Sequence, residues 1–270
     1  MPGVLGRLGA LLGAAHPGPA LAVTLLSGLL AGAVGLGPGG VVLVVLAVLT
    51  GQLSIGWSND LVDLARDRVV GRDDKPLVDG RVSERTVRIA CAVAVLATIP
   101  LSLACGWLAG LVHLLTVASG WAYNLGLKST PWSWLPYAVA FGALPAFVSL
   151  AENPDAAPSL WLPLAGALLG VGAHFVNVLP DLADDAATGV RGLPHRLGAH
   201  RSQAGAAAVL VAAAVVIVVG APVESRAVAV AALVGTALLA AVVLLAQGRT
   251  PFRAAIAMAL ADVAMLVWAR

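Results

Sequence analysis

With 270 residues, 60% of them hydrophobic and 11% charged, and a mean hydropathy of +0.94, the chain cannot cover its own surface in water. A soluble domain carries about 25% charged residues, so the soluble classes are excluded and the bilayer is the solvent. The net charge of +2 requires no nucleic-acid partner.

The predicted elements are membrane-spanning helices, each needing about 20 mostly apolar residues. In chain order the apolar runs are 20–37, 41–57, 86–103, 106–123, 136–150, 160–179, 204–219, 227–247 and 252–268. They are continuously apolar instead of alternating, which predicts helices and not a barrel. The fifth and seventh are short. The first lacks a small-residue processing site and is expected to remain as a helix. Cys91 and Cys105 fall inside apolar runs, too few for a disulfide framework or a zinc site. Most of the 7 Trp sit at expected helix ends, where an interfacial belt accounts for them.

With Arg7 in the cytoplasm, the even-numbered connections lie there too. Those segments hold Arg7, seven basic residues from Arg66 to Arg88, Lys128, Arg191, Arg196, Arg201, Arg249 and Arg253, which is 14 of the 16 Lys and Arg. Positive charge concentrates on the cytoplasmic side, so the distribution supports nine spans; one missed helix would scramble it. The expectation is a multi-pass protein of the cell membrane, with its N-terminus and the long loops 58–85 and 180–201 cytoplasmic.

The second run leads into an acidic cluster containing Asn59, Asp60, Asp63 and Asp67. On a continuing helix Asp60, Asp63 and Asp67 stand at i, i+3 and i+7, on one stripe. Stacked carboxylates repel unless a cation neutralises them. Hard oxygen donors suit Mg²⁺, which takes one or two carboxylates and completes its shell with water and substrate phosphate. The sixth run leads into a second cluster, Asn177, Asp181, Asp184 and Asp185, with His174 on the same face. This likeness between the halves is a weak internal repeat and suggests two clusters facing each other. A helix cap needs one Asp or Asn, not several at the mouth of an apolar bundle. Basic residues follow both clusters: Arg66, Arg68, Arg72, Lys75 and Arg81, then Arg191, His195 and Arg196. Metal-binding carboxylates beside phosphate-binding cations make a diphosphate clamp.

These residues resemble the UbiA-type intramembrane prenyltransferases. The family's first signature, N-D-x-x-D-x-x-x-D, is matched at Asn59, Asp60, Asp63 and Asp67. Its usual continuation, R-x-x-R-P-L-x-x-G-x-[IV]-S, is met from Arg72 to Ser83, with Lys75 in place of the second Arg. The second signature, N-x-x-x-D-x-x-x-D-x-x-x-G-x-R-T-L, is matched at Asn177, Asp181, Asp185, Gly189, Arg191 and Leu193, with Gly192 in place of Thr. A Tyr and a Lys after the fourth helix also recur in the family, here Tyr123 and Lys128.

The resemblance implies an all-α integral membrane protein, a single domain over 1–270, with nine transmembrane helices around a central cavity and cytoplasmic cap segments. It implies Mg²⁺ held by Asp60, Asp63, Asp67, Asp181 and Asp185. It implies a prenyl diphosphate bound by Asn59, Arg72, Lys75, Tyr123, Lys128, Asn177 and Arg191, its tail in the apolar cavity.

The expected reaction ionises the diphosphate and passes the prenyl group to an aromatic or quinone-precursor acceptor. A terpene cyclase of the same family needs the same clamp, so the acidic signatures do not separate the two. A transporter is the third alternative. It predicts carboxylates at mid-membrane on broken helices, where Asp262 alone falls. Asp262 is expected to pair with His113 or His174 or to face the cavity, and His113 to be a satisfied bundle histidine.

Overall fold

The computed structural model describes residues 4–155, 158–182, 185, 189–221, 226–246 and 250–268. Apolar runs in lipid must close their backbone hydrogen bonds internally, and each expected run coincides with a helix. The helices are α1 (Val4–Gly13), α2 (Pro17–Ala33), α3 (Pro38–Val69), α4 (Glu84–Ala104), α5 (Trp107–Leu125), α6 (Leu135–Glu152), α7 (Trp161–Val178), α8 (Leu193–Leu197), α9 (Ala199–Gly220), α10 (Arg226–Leu245) and α11 (Thr250–Trp268). Among the described residues 7 helices are long and apolar enough to cross a membrane, or 8 if the bent pair α1 and α2 forms one span. The helix α1 has no counterpart in the predicted elements.

From α2 through α7, and on through α9, α10 and α11, each long helix packs on its neighbour in sequence. The last returns to α2 and α7, which closes a ring. Large apolar side chains such as Leu25, Val93, Leu96 and Leu238 point outward. In water such a surface would be an aggregation liability; on a multi-pass membrane protein it is the lipid-facing side.

Two features of this frame position the site. The first is α3, whose 32 residues span about 48 Å at 1.5 Å per residue, against roughly 30 Å for a hydrocarbon core. Its last turns, which carry the first acidic cluster, therefore stand clear of the apolar layer. The second is the turn between α1 and α2, bent by 73°. There His16 adopts a left-handed backbone at φ 52°, and Pro17 starts α2 with a preset φ. This turn lies so close to α3 that a Cβ at Gly56 would come within 2.1 Å of the Ala15 carbonyl oxygen. The Trp57 indole N–H donates to the Leu11 carbonyl at 2.9 Å across the same contact. Trp57 is thus buried, unlike the exposed Trp107 and Trp132, which fit the interfacial belt.

The loop between α3 and α4 folds back over the end of α3. Its Pro76 and Leu77 are buried, in contact with the α1 side of the bundle. The loop ends on Ser83, whose Oγ accepts the Thr86 N–H at 3.1 Å. The Ser that closes the first signature is therefore the N-cap of α4, worth about 1 kcal/mol.

Candidate active site

A cavity of about 430 Å³ opens between α2, α3, α5, α6 and α7. Its α3 wall is one helix face: Val48, Gln52, Ile55, Gly56, Asn59, Asp63 and Arg66, spaced by three or four residues. The acidic clusters form one end, and the rest of the lining is mainly apolar, with Gln52 and His113 among Val23, Val48 and Leu144. Asp63 from the first cluster and Asp181 and Asp185 from the second all line it. So do Asn59, Arg72, Lys75, Tyr123, Lys128 and Asn177. Asp184 lies outside the described residues.

Cations tie the two clusters together. Arg66 Nη2 stands 2.9 Å from Asp63 Oδ2, 3.7 Å from Asp67 Oδ1 and 3.9 Å from Asp185 Oδ1. Arg72 Nη1 lies 3.8 Å from Asp181 Oδ1 while its other nitrogens hold Asp74 at 3.0 and 3.3 Å. Lys128 pairs with Asp63, and His195 Nε2 lies 3.3 Å from Asp185 Oδ2. Deep burial lowers the Lys128 ammonium below its usual range, and Asp63 offsets only part of that.

Two of the expected metal ligands do not reach the cavity wall. Asp60 and Asp67 are each 2% exposed and sit under Lys75, whose Nζ donates to Asp60 Oδ1 at 3.0 Å and to Asp67 Oδ2 at 2.7 Å. The loop after α3 carries Lys75 back across the helix face, so the three-carboxylate stripe is split. Asp63 points to the cavity, and Asp60 and Asp67 point to the loop. Burial alone would lower Lys75, but the two carboxylates outweigh it and hold the ammonium above its ordinary value. Asp60 also bonds His16, Nε2 to Oδ1 at 2.9 Å.

A second departure concerns Arg191, which is exposed and absent from the cavity wall; buried Val190 takes that place. Asn177 reaches the Tyr137 hydroxyl, Nδ2 to Oη 3.4 Å. Tyr123 and Tyr137 meet edge to face at 5.3 Å, and Tyr137 stacks on Phe141 at 6.4 Å, so aromatic surface lies directly inside the clamp. Asp262 meets neither histidine. His113 bonds Ser102 and His174 bonds Ser133, while both Asp262 oxygens are buried without a hydrogen-bond partner. It does not line the cavity.

Gly192, where the second signature departs from the family pattern, has a physical reason. A Cβ there would lie 2.6 Å from the Lys128 carbonyl oxygen and 2.8 Å from Ser133 Oγ. The bare backbone lets the second loop press onto the segment that carries Lys128, and Leu193 N–H donates to Ser133 Oγ at 2.9 Å.

The donor set fits Mg²⁺. Among the described residues no three acidic, His or Cys side chains close on a single point. Mg²⁺ does not need them to, since it uses one or two carboxylates and fills the remaining positions with water and phosphate oxygen. Asp63, Asp181 and Asp185 stand around one cavity, with Arg66 and Arg72 between them, and would be the carboxylates of such a partial shell.

The model of the UbiA prenyltransferase family matches residues 20–268. The chain belongs to the UbiA prenyltransferase family. Among solved structures, a UbiA homolog from Archaeoglobus fulgidus bound to GPP and Mg²⁺ superimposes with a TM-score of 0.72 at 16% identity, covering 96% of this chain and 99% of that one. An apo UbiA homolog from Aeropyrum pernix K1 gives 0.71 at 20% identity and covers 99% of both chains. A digeranylgeranylglyceryl phosphate synthase gives 0.71 at 17%, covering 97% of this chain and 99% of its own. At these identities the likeness to other UbiA proteins establishes the fold. No curated protein matches the sequence.

Three polar residues of this UbiA site were not selected from the sequence. His16 is signalled only by its place before a Pro. Asn124 bonds Ser58 Oγ at 2.7 Å, the Ile55 carbonyl at 2.9 Å and Asn59 at 3.2 Å, and so locks α5 to α3; it is a lone Asn at a helix end. Gln52 is a lone amide within an apolar run, which is itself a signal in a membrane span.

Proposed function

We propose that this UbiA protein is a Mg²⁺-dependent prenyltransferase that ionises a prenyl diphosphate and transfers the prenyl group to an aromatic or quinone-precursor acceptor. The observation that carries this reading is the convergence of Asp63, Asp181 and Asp185 on one cavity whose remaining wall is mainly apolar. A prenyl diphosphate has the matching polarity.

Bound with the substrate, Mg²⁺ would supply positive charge to the bridging and terminal diphosphate oxygens as the leaving group departs. Asp63, Asp181 and Asp185 would hold it, with Asp60 and Asp67 available once Lys75 turns toward phosphate. Lys75, Lys128, Arg66 and Arg72 would trade carboxylate partners for phosphate oxygens, so that the developing charge meets donors already in place. Tyr123 and Asn177 line the same rim and would orient the head group. The Tyr123, Tyr137 and Phe141 rings would face the allylic cation and attract it through their π surfaces. They also keep water from capturing it. Arg191 would act from the surface, outside the first contacts. We place the N-terminus and the clamp on the cytoplasmic side of the cell membrane, by the charge distribution, in one unit of nine spans.

The test is to incubate purified protein with Mg²⁺ and geranyl, farnesyl or geranylgeranyl diphosphate, with and without aromatic acceptors. Prenylated acceptor and stoichiometric diphosphate are expected, with no turnover after chelation. A cyclised hydrocarbon formed without acceptor would replace transfer by cyclisation.

A further inference from the structure

Lys75 stands between the cavity and two of the expected metal ligands. Its side chain lines the cavity, whereas Asp60 and Asp67 do not. The ammonium is seated between one oxygen of each, Asp60 Oδ1 at 3.0 Å and Asp67 Oδ2 at 2.7 Å. Mg²⁺ binds oxygen at about 2.0–2.1 Å, so it could take the same seat if each carboxylate closed in by less than about 1 Å. An ammonium is a compact point charge and fits where one metal ion fits. A guanidinium is a planar fork that spreads its donors. The Lys that replaces the family's second Arg is therefore the better of the two cations for holding a metal's place.

The surroundings keep the seat in position while its occupant can move. His16 Nε2 bonds Asp60 Oδ1 at 2.9 Å, and Arg66 stands 3.7 Å from the other oxygen of Asp67, so neither carboxylate depends on Lys75 alone. The Lys75 backbone is tied down. Its N–H donates to the Arg72 carbonyl at 3.0 Å, and its own carbonyl accepts from Val78 at 3.0 Å and from Asp79 at 3.2 Å. Pro76 and Leu77, which follow, are buried. The movable part is the four-carbon side chain, and it already borders the cavity.

Leaving the seat carries a condition. The Lys75 side chain is only 12% exposed, so a metal ion arriving alone would strand a buried ammonium, which is strongly unfavourable. A diphosphate in the cavity lifts that penalty by offering phosphate oxygens in exchange. We propose that Lys75 is a placeholder for the metal ion at Asp60 and Asp67, and that this seat opens to a divalent cation only when a diphosphate draws the ammonium into the cavity. This rests on the prenyl-transfer reading and adds an order to it. Metal at these two carboxylates is coupled to the substrate, and the coupling is reciprocal. Without diphosphate the buried pair is neutralised by the protein's own cation.

The probe is Mn²⁺, titrated into the full-length protein in detergent and followed by electron paramagnetic resonance of the free ion. Titrations run with and without geranyl S-thiolodiphosphate, whose leaving group departs too slowly for turnover. Asp67→Asn is expected to leave Mn²⁺ affinity unchanged without the diphosphate, because Lys75 covers Asp67, and to weaken it about tenfold with the diphosphate. Lys75→Met should bind Mn²⁺ without diphosphate about tenfold more tightly than wild type. Adding Asp67→Asn to that variant should abolish the gain. Adding Asp74→Asn, which removes an equal charge from the same loop, should keep it. If Lys75→Met does not fold, the Asp67→Asn comparison in the wild-type background decides. An Asp67→Asn effect of equal size with and without diphosphate, or a folded Lys75→Met with wild-type Mn²⁺ affinity, would overturn the placeholder. A wild type that binds no geranyl S-thiolodiphosphate would instead remove the prenyl-transfer reading, and the placeholder with it.

Discussion

Arg66 reaches across the cavity to Asp185, Nη2 to Oδ1 3.9 Å, while holding Asp63 at 2.9 Å on its own helix. One guanidinium thus spans two acidic clusters far apart in the chain, at the place where a diphosphate would sit. A planar fork with five donors can exchange carboxylate for phosphate oxygens without moving far. Arg66→Met should therefore lower kcat/KM for the prenyl diphosphate on the order of 100-fold. Arg66→Lys should recover only part of it, because the charge returns without the fork. Steady-state kinetics with the prenyl diphosphate varied will check this.

Lys75 gives a pH prediction. Its ammonium is held above the ordinary 10.5 by Asp60 and Asp67. A raised value in the folded state means the contribution is complete below 10.5 and is lost only as pH rises through the folded value. Lys75→Met takes the ammonium from two buried carboxylates, leaving Asp60 with His16 alone and Asp67 with the more distant Arg66, and should cost on the order of 3 kcal/mol. The difference in melting temperature from wild type, without Mg²⁺, should be flat from about pH 6 to about pH 9 and shrink only at more alkaline pH. Thermal unfolding in detergent across that range will check it.

Gly192 predicts that restoring the family's commoner residue does harm. Gly192→Thr drives a Cβ to 2.6 Å from the Lys128 carbonyl, and overpacking of this kind costs about 1–3 kcal/mol. The loop must lift, taking Lys128 away from Asp63, so activity should fall more than stability. Parallel measurement of melting temperature and turnover separates the two effects.

The helices were legible because hydropathy alone dictates them in lipid. The end of α3 was not: the apolar run stops at residue 57 and 58–85 reads as a loop, whereas α3 continues to Val69, and the aspartate spacing said only where a continuing helix would put them. What the sequence concealed was set by loop paths. The spacing puts Asp60, Asp63 and Asp67 on one stripe, but only the return of the 70–83 loop decides that Lys75 covers two of them. Likewise Arg191 matches a family position, yet Val190 faces the cavity in its place. The left-handed turn at His16 has no periodic signal, and the reason for Gly192 lies in the Lys128 backbone packed beside it, which no spacing in the sequence reveals.

Asp262 is fully buried with both oxygens unpartnered and lies off the cavity wall. Replacing an unsatisfied buried polar group by an apolar one of similar shape is neutral or stabilising. Asp262→Leu should leave turnover unchanged and alter stability by less than about 1 kcal/mol, or raise it. A loss of turnover with normal folding would give Asp262 a role that its position does not suggest.

A double-mutant cycle on Mg²⁺-dependent geranyl diphosphate binding tests most directly whether the two acidic clusters share one ligand. Asp63→Asn and Asp181→Asn should each weaken binding strongly, and the double variant should be little worse than either, because both act on the same metal and diphosphate. Fully additive losses, or normal binding in either single variant, would contradict shared coordination.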